Sequence, residues 1–456
     1  MSVAVIALCF LSALLLTLLR GAGSAFVFAY LPALLLLSQL PALALPGIPD
    51  ARAPTAAVYG ILLGGLWGGR LPHLRMATVD YIVVALLLTH IISALTTGTA
   101  YAAVSVLGTM GLRLVAPYFI VRCTFERRDV QRQALVVLIA VFLVVGLFSF
   151  IEMRLWPNTY RNLLLSLGLA EGEGPGMALR RYGFFRAHAS FFHAIDLGNG
   201  AALVFASIAI LAWRTATDLR NLWVVAGLAA AFVAWISAIS FGSLLGSASG
   251  FCLYVVLSTF RRSRYLPVAG VASLIFVGFA LTAYMANTPL GERPPATEPL
   301  AQSYWVREVI VHRSWHAAST AGLFGWGFRL DEVLPERGST DNAYLLILIR
   351  EGWVALVLWL ALPVCLATLA STGLRKTRSR THAHAILAGF SAVVGIMISM
   401  FTVFFGFIYA SLLLIVVALT VNTAQAAGGR DVRRRPSIKR RAWGANREPL
   451  ASPDRP

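Results

Sequence analysis

From Ser2 to Val421 the sequence is a nearly continuous succession of apolar runs, separated by short basic breaks and two longer polar stretches. A spanning helix needs about 20 apolar residues. In lipid a backbone must satisfy its own hydrogen bonds, so a chain of such runs folds as a helical bundle. Thirteen runs are marked, at 2–19, 25–45, 54–69, 79–96, 103–121, 134–151, 191–213, 221–240, 243–260, 266–286, 343–370, 385–402 and 405–422. The stretch 385–421 is too long for one span, and Phe405-Gly406 offers the turn that divides it; read as one tilted helix, it lowers the count to twelve. The expected fold class is therefore all-α, a polytopic integral membrane protein with about 12–13 transmembrane helices. Composition agrees, since 58% hydrophobic and 13% charged residues lie outside the range of soluble domains.

The formal net charge of +18 raises the question of nucleic acid, but the basic residues fall in short runs between apolar segments and in the tail. Loop anchoring accounts for that pattern, and no nucleic-acid partner is expected. Arg70 to Arg75, Arg122 to Arg132, Arg214 to Arg220, Arg261 to Arg264, Arg375 to Arg380 and the tail all fall on one side of the alternating plan. That side is cytoplasmic by the positive-inside rule. The four cysteines, Cys9, Cys123, Cys252 and Cys365, have no paired spacing, so neither a disulfide framework nor a zinc site is indicated.

The plan divides the chain into N-terminal spans (1–151), a first outer loop (152–190), central spans (191–286), a large outer loop (287–342), C-terminal spans (343–422) and a basic tail expected to be disordered (423–456). The first loop breaks the charge rule, carrying Arg154, Arg161, Arg180, Arg181 and Arg186 against Glu152, Glu171 and Glu173. Contact with lipid phosphates is one reading. The other is a clamp for a bound diphosphate, because guanidinium offers paired donors that match phosphate oxygens and stays charged at any working pH.

In the second loop, residues 303–320 read as a helix along the membrane surface, with Trp305, Val309, His312 and His316 on one stripe and Arg313 on a neighbouring face. Gly322, Gly325 and Gly327 are expected to form a turn rather than a phosphate cradle, because no Lys-Ser/Thr follows them. His193 stands at a helix start, as a structural histidine or as a substrate contact. Asp341 precedes the apolar run from Ala343, where it serves as helix cap, as proton acceptor, or as both.

Two blocks together resemble a known family. Arg181-Tyr-Gly-x-x-Arg186-Ala, then Phe192-His193-x-Ile195 and Gly198, form the first; Arg307, the run Gly322 to Gly327, Asp341-Asn-x-Tyr-Leu345 and Glu351-Gly352 form the second. In order and rough spacing they are similar to the O-antigen ligase and O-antigen polymerase superfamily, over residues 181–355. Family ligases usually carry His-Asn where this chain has Asp341-Asn342, and exopolysaccharide-type relatives carry Asp-Asn, which favours polymerisation. Ala194 stands where a proline commonly follows the histidine, and Ser240-Phe-Gly-Ser replaces a pair that includes an arginine in many relatives.

The resemblance implies metal-independent glycosyl transfer without a cofactor, at the periplasmic face of a bacterial inner membrane. The donor would be a glycan on undecaprenyl diphosphate, the acceptor a second glycan, and the neighbours a flippase and chain-length or export proteins. Arg181, Arg186 and Arg307 would hold the diphosphate. Asp341 would accept the hydroxyl proton, with Arg307 as its catalytic partner, and His193, Arg313, Asn342 and Tyr344 would contact acceptor or substrate. A ligase passing glycan to a lipid or other acceptor is the alternative within the family. A transporter of lipid-linked glycan is the alternative outside it, with His90, Arg113 and Asp196 as its candidate intramembrane groups.

Overall fold

The computed structural model describes residues 2–45, 48–68, 74–169, 180–260, 266–287, 299–327, 342–402 and 407–433, with the isolated positions 292 and 295. A helix forms in each of the thirteen apolar runs: α1 (Ser2–Arg20), α2 (Ala22–Leu36), α3 (Ala53–Gly68), α4 (Thr78–Thr97), α5 (Ala100–Thr124), α6 (Arg128–Arg154), α8 (Ala194–Thr215), α9 (Leu222–Ser237), α10 (Phe241–Thr259), α11 (Leu266–Asn287), α13 (Ala343–Lys376), α14 (Arg380–Ser399) and α15 (Phe407–Arg433). Among the described residues ten helices are long and apolar enough to cross a membrane, while α2, α3 and α9 are shorter. Helix α14 ends at Ser399 and α15 begins at Phe407, while the expected turn at Phe405-Gly406 lies outside the described residues. Two further helices, α7 (Thr159–Ser166) and α12 (Pro299–Ser319), lie in the outer loops.

The bundle is apolar outside as well as inside. Leu8, Leu15, Leu66 and Phe251 are exposed on helix flanks, as a lipid-facing surface requires. At the centre α8 and α15 are almost wholly buried. Small residues let helices approach closely: a Cβ added to Gly246 of α10 would stand 2.6 Å from Gly395 O of α14.

At the end of the bundle away from the two long loops Arg122 is buried, with its Nε 2.8 Å from Asp80 Oδ1, and it also donates to Asn422 and Gln425. Arg214 donates to Thr423 Oγ1 at 3.1 Å. These bonds tie α4, α5 and α8 to α15 as far as Gln425, and α15 itself runs to Arg433 where the sequence suggested a disordered tail from residue 423. The run at 25–45 is shorter as a helix than expected. It ends at Leu36, Ser38 and Gln39 turn to bond another segment, and Leu43–Leu45 pairs with Ile48–Ala51 as the hairpin β1–β2.

Helix α12 is present where the sequence predicts it, from Pro299 to Ser319. Val311, Ser314, Ala317, Ala318 and Ala321 face inward, whereas His316 is exposed. Small side chains on this face allow α12 to approach α11 and α13.

Candidate functional site

The first outer loop ends in a hairpin. Arg180–Arg181 (β3) pairs with Phe184–Phe185 (β4) through Tyr182 and Gly183, both at positive φ (53° and 81°), the pattern of a two-residue type I′ turn. The strands place Arg180 over the Phe185 ring at 4.3 Å, and Arg154 at the end of α6 lies over the Phe184 ring at 4.6 Å. Residues 186–191 then run beneath the surface, pinned from three sides. Glu152, 1% exposed, accepts from Tyr160 N (3.1 Å), His188 N (2.8 Å) and Ala189 N (2.7 Å). Gln39 Nε2 donates to Ala189 O (2.9 Å) and Phe191 O (2.6 Å), and Ser38 Oγ to Ser190 O (2.8 Å). On the third side Ala187 N donates to Ser237 O at 3.0 Å, and Arg186 Nε reaches Ala238 O at 3.4 Å.

This framework holds Arg186, itself 7% exposed, and Arg181 close enough to His188 and His193 for their charges to be felt there. His193 caps α8, its Nδ1 accepting from Ile195 N at 3.2 Å, so that nitrogen carries no proton. Although part of its surface is open, desolvation of the ring and then the charges of Arg186, His188 and Arg181 push the imidazole down to about 4. His188 is also lowered, first by desolvation, while its Nδ1 donates to Phe192 O at 3.3 Å. Both rings are therefore neutral near pH 7, and the arginines carry the positive charge. Of the expected site residues, Arg181, Arg186 and His193 lie in this one segment, with the two arginine charges felt at the His193 ring.

The second block meets the first at the outer end of α14. Ser399 Oγ donates to Asn199 Oδ1 of α8 at 3.1 Å, and the next residue, Met400, accepts at its carbonyl from Ala343 N at 2.8 Å. Asn342 is the cap of α13: its Oδ1 accepts from Tyr344 N and Leu345 N, and its Nδ2 donates to Thr282 Oγ1 at 3.4 Å. Tyr344 is buried, its hydroxyl donating to Met397 O at 2.8 Å and its ring packed on Phe401. Asn342 and Tyr344 thus have structural engagements where the sequence suggested substrate contacts. The capping position, one of the two roles the sequence offered Asp341, is filled by Asn342. Asp341 itself lies outside the described residues, as do the side chains of Arg307 and Arg313, whose backbone belongs to α12.

Helix α13 is broken at Gly352, where φ 84° and ψ −176° admit only glycine. The glycine-rich segment is a turn, as expected, and it docks on this break. Gly325 N bonds Gly322 O, Trp326 N donates to Ile349 O at 2.7 Å, and Val354 N donates to Leu323 O at 3.2 Å. Backbone groups freed by the break are thereby satisfied. Beside it, His90 Nε2 of α4 lies 2.8 Å from Glu351 Oε1, and Ser93 Oγ donates to Arg350 O at 3.1 Å. The sequence pointed to His90 as an intramembrane group but not to its partner Glu351.

An apolar cavity of about 540 Å³ lies between α8, α9, α10 and α14. Alanine and glycine line its walls, Trp235 and Gly246 its upper part, and Trp213 and Tyr254 its floor, where Tyr254 Oη meets His384 Nδ1 at 2.9 Å. From Ala201 to Trp213 it follows α8 for about 18 Å at the helical rise of 1.5 Å per residue. Phe232 and Phe251, 49% and 67% exposed, flank its side towards lipid. Trp235 stands one turn below Ala238, whose carbonyl takes Arg186.

Among the described residues, no group of three or more His, Cys, Asp or Glu comes together as a metal site. Glu152, Gln39 and Ser399 were not singled out by sequence, because each acts through a contact more than 30 residues away. Searched against family models and against curated proteins, the chain matches none.

Proposed function

We propose that this chain is a metal-independent glycosyltransferase of the bacterial inner membrane, polymerising undecaprenyl-diphosphate-linked oligosaccharide repeat units into a surface polysaccharide or exopolysaccharide at the periplasmic face. The observation that supports the reading is adjacency: the arginine segment is bonded to the end of α9 at Ser237 and Ala238, and one turn earlier the same helix lines an apolar cavity at Trp235. A diphosphate with a long apolar tail has that same order of charge and hydrocarbon. The resemblance of residues 181–355 to the O-antigen ligase and polymerase superfamily points the same way.

In this reading the tail enters the cavity between Phe232 and Phe251, and Arg181 and Arg186, with Arg307 from α12, hold the diphosphate. An acceptor hydroxyl attacks the donor sugar at C1. The bond from C1 to the diphosphate oxygen breaks, the diphosphate leaves with the bonding pair, and Asp341 takes the hydroxyl proton. Positively charged donors fixed in advance lower the barrier, because charge develops on the leaving group while the protein needs no reorganisation. His188 and His193, neutral at this pH, leave the arginines to carry that role.

Analysis of lipid-linked intermediates in a strain lacking the chain tests the reading. Accumulation of single repeat units is expected; full-length unattached polymer would instead indicate a ligase. A transporter is the second reading, favoured by the break at Gly352 and the His90–Glu351 contact, since discontinuous helices and intramembrane ionisable residues mark transport pathways. Export of lipid-linked glycan that stops when the ion gradient is collapsed would support it.

A further inference from the structure

In the first turns of α8 two polar side chains on one face carry polar atoms that, among the described residues, have no partner. Asp196 is 8% exposed, and among the described residues its carboxylate receives no hydrogen bond and forms no ion pair. Asn199 is 0% exposed; its Oδ1 accepts from Ser399, but its Nδ2 has no partner. Positions three apart on a helix are neighbours, with Cβ atoms about 5–6 Å apart. Asp196 also lies three residues beyond the cap His193, just inside the basic segment. A buried carboxylate without a partner is costly, and burying an amide donor beside it adds to the cost.

We propose that Asp196 and Asn199 form a subsite for a sugar hydroxyl of the acceptor glycan. The chemistry of the two unpaired groups selects the ligand class. An anion is repelled by the carboxylate. A metal cation would need several oxygens, yet the atom that Asn199 leaves unpaired is its amide nitrogen, a donor only, while its oxygen is held by Ser399. A hydroxyl donates one hydrogen bond and accepts others, so it satisfies the carboxylate and the amide together. Position agrees: Asn199 is bonded to Ser399, whose neighbour Met400 binds the start of α13, so the subsite sits where the two sequence blocks meet. This inference rests on the glycosyltransferase reading for the identity of the sugar as acceptor, but not for the existence of the hydroxyl site.

The test uses the full chain in detergent, with Asp196→Asn and Asp196→Leu beside the wild type. The probe is the repeat-unit oligosaccharide released from its lipid, so binding is read by calorimetry without turnover, and elongation is read separately. We expect at least tenfold weaker oligosaccharide binding in both variants, a matching rise in KM for the acceptor, and a melting temperature equal to or above that of the wild type. Unchanged binding in both variants would overturn the subsite even if elongation is seen. Lost binding together with a lowered melting temperature in both would make Asp196 a structural residue and also overturn it. Weakened binding at full stability in a chain that never elongates would keep the subsite and remove the glycosyltransferase reading.

Discussion

Glu152 Oε2 accepts a hydrogen bond from Ala189 N at 2.7 Å, joining the end of α6 to the arginine segment 37 residues later. Ala189 has φ 46°, a conformation uncommon for a residue with a side chain, so the segment needs outside support to keep its course. A carboxylate that also binds His188 N and Tyr160 N supplies it. Replacing Glu152 by Ala leaves buried N–H groups without an acceptor and is expected to cost on the order of 3 kcal/mol. Trypsin applied to the outer face should then cut at Arg180, Arg181 or Arg186 faster than in the wild type. Equal cutting rates would show that Glu152 does not hold the segment.

Arg186→Lys and Arg307→Lys should insert and fold but lose most activity. Lysine keeps the charge without the paired donors, and losing one donor to a developing anion costs roughly 3 kcal/mol, about a hundredfold in rate. Polymer yield in cells carrying each variant checks this. Near-normal yield from both would exclude paired-donor binding of the diphosphate.

Because Asn342 already caps α13, the roles of the adjacent pair separate cleanly. Asn342→Ala should lower stability by about 1 kcal/mol through loss of the cap. Asp341→Asn should leave the melting temperature unchanged and reduce turnover by about a hundredfold or more, as loss of a general base does. An active Asp341→Asn variant would remove Asp341 from the chemistry.

The thirteen helices were legible because a bilayer imposes a length and an apolar composition that each run declares by itself. The turn at Gly322 to Gly327 was legible for a similar local reason. The pair Tyr182-Gly183, a turn dipeptide between short strands, was a local signal that the helical reading passed over. What could not be read was pairing at a distance: Asn199 with Ser399 is separated by 200 residues, and nothing in either segment names the other. The break at Gly352 was likewise hidden, since the flanking sequence is apolar enough for one continuous helix and only the docked turn satisfies its freed backbone.

Acid should destabilise the outer segment through His193. Its folded value of about 4 lies below the ordinary histidine value of 6.5, so the unfolded chain binds the extra proton between those limits. Stability is then fully present above pH 6.5 and falls as pH drops towards 4. His193→Asn keeps a capping side chain but does not titrate, so its melting temperature should fall less over that interval. Identical acid profiles for variant and wild type would refute the assignment.

The central claim is that the chain itself joins lipid-linked repeat units, and reconstitution measures this directly. Purified protein in liposomes, given undecaprenyl-diphosphate-linked repeat units and no ion gradient, should convert single repeats into a ladder of longer chains and release undecaprenyl diphosphate. Absence of elongation, with lipid-linked glycan crossing the bilayer only when a gradient is imposed, would contradict the account.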